Sequence, residues 1–293
     1  MIRSSAAALA AIACALGFSA CGDDDDGGGN ESAATPTTAM QTTAAAECRT
    51  DQLKTLEDGV LTIGTDKPAY PPYFEDDDPT NGRGFESEVA YAVAEELGFP
   101  KQKVEWTTVP FNSSYAPGEK KFDFDINQIS ITPARQKRVD FSTPYFTAPQ
   151  AVVALEGTSA AKAQDLSGLK DAKLGVQVGT TSLDAVNDVI KPSTQPKVFN
   201  DSNDTVAALK NKSVDAIVVD LPTALYINAA EIDDSTVVGQ FAAPGGDEWG
   251  LLLEKESPLT PCVDAALERL RSDGELDRIR DAWLGEDAAP QLD

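Results

Sequence analysis

The sequence contains no histidine. That excludes Ser-His-Asp and Cys-His catalysis and every histidine-ligated metal site. Acid–base chemistry, if any, is left to Asp, Glu, Lys, Tyr or Arg. Basic residues are scarce: 24 Lys and Arg stand against 48 Asp and Glu, a net charge of -24 over 293 residues. That balance argues against nucleic acid and against a basic membrane-binding face. It leaves ligand charge open, because surface acids chiefly keep a protein soluble. Cysteine is rare, 4 residues in all. Apolar runs are short: the longest obvious one, Ala6 to Ala20, falls short of a comfortable bilayer span. The chain is long enough for one large or two medium domains with a core of their own.

What is present begins with an export signal over 1–20, with Arg3 as a weak positive start and a small, apolar stretch behind it. Phe18-Ser19-Ala20-Cys21 is similar to a bacterial lipoprotein processing site, with Cys21 as the lipidated residue and the membrane touched only through that anchor. Phe18 stands where Leu is most usual, and Cys14, after Ala11-Ile12-Ala13, is an alternative. An ordinary cleaved signal with a free Cys21 is the simpler reading. Residues 21–47 are Gly/Asp- and then Ala/Thr/Ser/Pro-rich without apolar period, which predicts a disordered tether. Four adjacent acids, Asp23 to Asp26, cannot all turn toward one Ca²⁺, so they read as a solvated linker. In the folded body from Cys48 on, Cys48 and Cys262 form the expected disulfide, since exported thiols are usually oxidised. Two buried thiols are the alternative. No metal site and no cofactor is expected.

The body reads as α/β. Val60 to Gly64 is a buried strand that delivers Asp66 at its C-terminal end, the edge where ligands gather in open α/β sheets. Tyr70, Pro71, Pro72, Tyr73 and Phe74 make a stiff aromatic turn, either a cleft wall or a plug over the core. Phe85, Val89, Val93 and Leu97 lie four apart and predict a helix that Gly98 ends. Val104 to Val109 is a strand, and Phe111 opens the loop after it. Strands then follow at 150–155, 173–178, 198–199 and 214–220, the last delivering Asp220. Asp220 is either an acceptor for an ammonium or a cap for the helix opened by Pro222. Gly179-Thr180-Thr181-Ser182 places hydroxyls and N–H groups at a strand-to-helix junction, an anion-compatible feature too generic to name a ligand. Trp249 to Leu253 is a strand, Thr260-Pro261 an N-cap and N1 pair, and Leu276, Ile279 and Trp283 face a final helix. Residues 286–293 read as a frayed tail.

The most informative stretch is 122–146. Phe122, Phe124 and Ile126 alternate as a strand, Ser130 and Thr132 put hydroxyls at its end, and Pro133 stops it. Arg135 follows within five residues of Ser130. A hydroxyl, free N–H groups and a guanidinium suit a small carboxylate, whose two oxygens Arg binds as a fork. An edge turn with a surface Arg is the bland reading.

Taken together, Gly84-Phe85-Glu86, Ser130-Ile131-Thr132-Pro133-Ala134-Arg135, Val139-Asp140-Phe141-Ser142-Thr143-Pro144-Tyr145, Gly175 to Thr181 and Asp215 to Asp220 resemble the extracytoplasmic solute-binding proteins of ABC importers, in the polar amino-acid branch (family 3). The resemblance runs from about Val60 to Trp283. It implies a two-lobe, type II periplasmic-binding-protein-like fold, each lobe a mixed sheet flanked by helices, with two crossing hinge strands. Lobe 1 is expected over 48–148 and 241–285 and lobe 2 over 149–240. It implies that Arg135 holds an α-carboxylate with help from Ser130 and the N–H of Thr181, and that Asp220 takes the α-ammonium. Asp66, Tyr70 and Gln177 match positions at the side-chain end, and Phe111 an aromatic cover. Gln128 departs from the Gly or Ser usual two residues before Ser130; its amide either points at the ligand or turns aside and leaves its carbonyl. The implied partners are a free amino acid, polar or basic in its side chain, and permease subunits, for a monomeric carrier held at the outer face of the membrane and not an enzyme. Two other readings stand beside it: a cleft dehydratase of a cyclic acid, using Asp66, Asp220 or Glu248 as acid or base, and a ligand-presenting sensor lipoprotein.

Overall fold

The computed structural model describes residues 48–285 and 289–293. The export signal, Cys14, Cys21 and the tether expected over 21–47 lie outside the described residues. Strands β1 (Leu61–Thr65), β2 (Val104–Thr108), β3 (Phe124–Asp125), β4 (Asp140–Phe141), β5 (Phe146–Thr147) and β6 (Gln150–Leu155) are followed by β7 (Leu174–Gln177), β8 (Lys197–Phe199), β9 (Ala216–Asp220), β10 (Ser235–Phe241), β11 (Glu248–Trp249) and β12 (Leu252–Leu253). They form two five-stranded mixed sheets, ordered β2-β1-β3-β12-β4 and β10-β6-β9-β7-β8. A third, two-stranded ribbon pairs β5 with β11 where the chain passes between the lobes. This is the two-lobe α/β arrangement with crossing strands that the resemblance implies.

Lobe 1 is built on the parallel β2-β1-β3 core. The helix Phe85–Glu96 lies against it through Phe85, Val89, Val93 and, just past its end, Leu97, all 0–1% exposed. Burying each such side chain contributes about 1.5–3 kcal/mol. Gly98 takes φ 84° and ends the helix, as its sequence position predicts. Gly84, at φ 104°, passes so close to Tyr73 that a Cβ would collide with the Tyr73 carbonyl. Only glycine lets the helix start against the aromatic turn. The helices Thr260–Ser272 and Glu275–Trp283 complete this layer, and Cys48 is bonded to Cys262 on the former, closing a span of 214 residues. Among the described residues no helix is long and apolar enough to cross a membrane.

Several local expectations are corrected. The strand expected from Phe122 is laddered only at Phe124–Asp125, because Gln128 takes φ 47° and turns the chain. Ser130 instead makes an isolated antiparallel bridge to Trp249. Thr132 is a helix cap, not a strand end: its Oγ1 accepts from the Arg135 N–H (3.2 Å), and Pro133 opens the turn Pro133–Gln136. The strand expected at 249–253 is split at Gly250, so that Trp249 pairs with Phe146 and Leu252 with Asp125 and Phe141. Leu259, not Thr260, is the N-cap of the 260–272 helix, and the Thr260 hydroxyl has no partner.

The tail is also corrected. Residues 289–293 are not frayed but lie along the outer edge of β10. The Gln240 N–H donates to the Pro290 carbonyl (2.8 Å) and the Leu292 N–H to the Gln240 carbonyl (2.9 Å). Leu292 is 3% exposed in the lobe 2 core, over Gly239. The unpaired backbone of an edge strand accounts for this docking.

Candidate functional site

One cleft lies between the sheets, at the C-terminal ends of β1, β7 and β9. Asp66, Tyr70, Phe111, Gln128, Ser130 and Arg135 line it from lobe 1, and Gln177, Thr181 and Asp220 from lobe 2. All nine residues expected at the site from the sequence are therefore brought to one place. Glu248, considered as an acid or base, is exposed on the β5–β11 ribbon and is not among the lining residues.

Arg135 is 7% exposed. Its guanidinium donates to the Ser130 carbonyl (2.7 Å) on its own lobe and to the Gly179 carbonyl (2.9 Å) on the other. Its Cζ lies 5.4 and 4.7 Å from the ring centroids of Phe111 and Tyr115, which pack against one another beside it. Burial lowers its pKa, yet an arginine stays charged. These two bonds use two of its five donors, and its side chain also lines the cleft. Gly179 must be glycine: at φ 74° its Cβ would run into Asn112 and Tyr115. Beside it, the Ser130 and Thr181 hydroxyls meet at 3.2 Å across the cleft. Thr180 caps the helix Thr181–Ala185 by accepting from the Leu183 N–H, and Thr180, Thr181 and Ser182 line the cleft at this helix start.

Asp220 leaves β9 from the opposite side. It accepts from the Gln150 amide (2.6 Å), and Ser182 donates in turn to the Gln150 carbonyl oxygen (2.5 Å). Burial pushes the Asp220 pKa up to about 7; Gln150 and Arg135 oppose this, and Asp247 adds to it. A carboxyl so placed is short of positive charge. Asp66 is also raised, by burial first, with the field of Asp201 across the cleft adding to it. Asp66 accepts from the Lys67 N–H (2.7 Å) and the Phe111 N–H (3.1 Å), so it ties the start of the Phe111–Ser114 turn to the end of β1. Gln177 accepts from Ser202 (2.8 Å). Among the described residues no group of three His, Cys, Asp or Glu is placed to hold a metal ion.

The two lobes also touch directly. Tyr70 donates to Glu231 (3.1 Å), and Tyr73 and Thr223 share a hydrogen bond of 2.8 Å. Gln128 resolves in favour of turning aside: its amide and its N–H both donate to buried Glu86. Sequence reasoning missed Gln150, Asp201 and Glu86 as members of the site. Asp201 carried a signal, since it follows β8 as a helix cap. Glu86 stood in a quoted motif but read only as a helix opening.

The family model for bacterial extracellular solute-binding proteins, family 3, matches residues 61–286. The chain is 29% identical over 238 residues to the L-cystine-binding protein TcyJ of Escherichia coli (strain K12), covering 80% of this chain and 86% of that protein. Among solved structures it is similar to an ancestral arginine-binding protein bound to glutamine, at 34% identity and a TM-score of 0.67, over 78% of this chain and 100% of that one. It is also similar to the ancestral amino acid-binding protein AncCDT-1, a precursor of cyclohexadienyl dehydratase, at 31% identity and a TM-score of 0.64, over 77% and 95% of the two chains. With a family model matched from the first strand to beyond the last helix, this chain belongs to the family 3 bacterial extracellular solute-binding proteins.

Proposed function

We propose that this protein captures a free α-amino acid, polar or cationic in its side chain, outside the cytoplasmic membrane and delivers it to the permease subunits of an ABC importer. The observation that carries this reading is that Arg135 and Asp220 line one cleft from opposite lobes. An α-amino acid bears both matching charges on adjacent groups. Arg135 takes the carboxylate, assisted by Ser130 and the Thr181 N–H; Asp220 takes the ammonium. Phe111 covers the ligand, while Asp66, Tyr70 and Gln177 line its side-chain end. Closure removes water from both pairs and strengthens them.

The lining carries Asp66, Asp201 and Asp220 against the single cation Arg135. Once Arg135 and Asp220 have met the α-groups, Asp66 and Asp201 remain uncompensated, which favours a cationic side chain. Similarity to an ancestral arginine-binding protein, solved with arginine and with glutamine, supports a polar or cationic side chain. The carrier is a monomer, held at the outer face of the membrane by a lipid on Cys21, and it binds without turnover. A thermal-shift screen of the common amino acids tests this, since a ligand that binds only the native state raises the melting temperature by mass action. The largest rise is expected with L-arginine or L-lysine. No rise with any α-amino acid overturns the reading.

The AncCDT-1 likeness gives one observation to a second reading, a dehydratase. Release of product from prephenate or arogenate, read by absorbance, would establish it.

A further inference from the structure

Glu86 stands in the first turn of the Phe85–Glu96 helix and is 0% exposed. It makes no use of its own helix. One carboxylate oxygen accepts from the Gln128 backbone N–H (2.7 Å) and from the Tyr145 hydroxyl; the other accepts from the Gln128 side-chain amide. Gln128 has φ 47°, the left-handed region that a Cβ disfavours and that glycine enters freely. Two residues on is Ser130, and both line the cleft. Tyr145 directly precedes β5, where the chain starts to cross between the lobes. A single buried carboxylate thus joins a helix, the cleft loop and the entrance to the crossing ribbon.

We propose that Glu86 is a positioning residue for ligand binding: its carboxylate holds Gln128 in the left-handed conformation that sets the 127–130 loop against the cleft, and it ties that loop to Tyr145. The inference rests on the cleft being the amino-acid site. Ionised Glu86 accepts all three bonds; a protonated carboxyl would donate one of them, to a reversed Tyr145 hydroxyl or Gln128 amide, and keep the bond from the Gln128 N–H. The titratable groups whose fields reach it are Asp220 from β9, Asp125 from β3, and Tyr73 and Tyr145. Burial raises its pKa to about 7, against the three bonds, and Asp220 adds to the rise. An ammonium brought to Asp220 offsets that field and favours the ionised form of Glu86. Ligand and loop therefore reinforce one another.

A double-mutant cycle tests this. The full folded chain and its Glu86→Gln, Gln128→Gly and doubly substituted variants are titrated by calorimetry. The probe is whichever of L-arginine, L-lysine, L-glutamine and L-cystine binds the unsubstituted protein most tightly. Glu86→Gln is expected to weaken binding about tenfold when residue 128 is Gln, one charge-assisted bond's worth, and less than about threefold when it is Gly. It should also flatten the pH dependence of Kd between pH 6 and 8. Equal losses in both backgrounds, or no loss, overturn the assignment. Should Glu86→Gln not fold, Gln128→Ala and Gln128→Gly decide it: Ala is expected to bind at least threefold more weakly than Gly, and equal affinities overturn the proposal. Failure of the unsubstituted protein to bind any of the common α-amino acids is a different result, and it overturns the cleft reading itself.

Discussion

Arg135, on lobe 1, donates to the carbonyl oxygen of Gly179 on lobe 2 at 2.9 Å. The one cation among the described residues that line the cleft thus also joins the two lobes. Arg135→Lys keeps the charge but loses the planar fork. It is expected to weaken amino-acid binding by at least 100-fold with an unchanged circular-dichroism spectrum. Affinity within threefold of the unsubstituted protein would remove Arg135 from the site.

Asp220 gives a pH signature of defined sign. Its folded pKa, about 7, lies above the ordinary carboxylate value. Between about pH 4 and 7 the folded state therefore holds a proton that the unfolded state has lost, and stability falls as pH rises through that window. Asp220→Asn removes this dependence. The ligand-free variant is expected to melt roughly 2–6 °C above the unsubstituted protein at pH 8, and level with it at pH 4. Binding behaves oppositely: an ammonium needs ionised Asp220, so affinity should drop below pH 7 in the unsubstituted protein. Melting curves at both pH values check the first point and calorimetry the second.

The bond between Cys48 and Cys262 spans 214 residues. Closing so long a loop restricts the unfolded chain, which is worth about 2–5 kcal/mol. Cys48→Ser with Cys262→Ser should lower the melting temperature by roughly 5–15 °C without moving ligand affinity by more than about threefold. Both residues lie away from the cleft lining. A melting scan with and without reductant reads the effect.

Tyr70 donates across the cleft mouth to Glu231 at 3.1 Å, and Lys210 holds the other carboxylate oxygen of Glu231 at 2.6 Å. Tyr70→Phe removes this hydrogen bond between the lobes and keeps the ring. Net loss of such a bond is worth about 0.5–1.5 kcal/mol, so ligand dissociation measured by stopped flow should quicken about 2- to 10-fold. An unchanged rate would show that this contact does not hold the lobes closed.

How much of this was legible beforehand varied with the physics of each feature. The helix stripe Phe85, Val89, Val93 and Leu97 and the buried strands β1, β6 and β9 announce themselves by period and apolar content, and strand ends carry Asp66 and Asp220 to the cleft. The nine expected cleft residues could be named together only because short motifs resemble a known family; no periodicity brings Arg135 to Gly179. The turn at Gln128 was not legible, because a left-handed Gln is stabilised by a carboxylate 42 residues away. The docked tail was missed for a similar reason. Pro290, Gln291 and Leu292 have no period of their own, and their order comes from the free edge of β10 and the gap over Gly239.

The central claim is that one ligand bridges Arg135 and Asp220 through its α-carboxylate and α-ammonium. Calorimetric titration with the tightest-binding amino acid, its decarboxylated amine and its deaminated acid tests that most directly. Each analogue leaves one buried charge unpaired, so each should bind at least 100-fold more weakly than the amino acid. An amine or acid that binds as tightly as the parent would contradict the account.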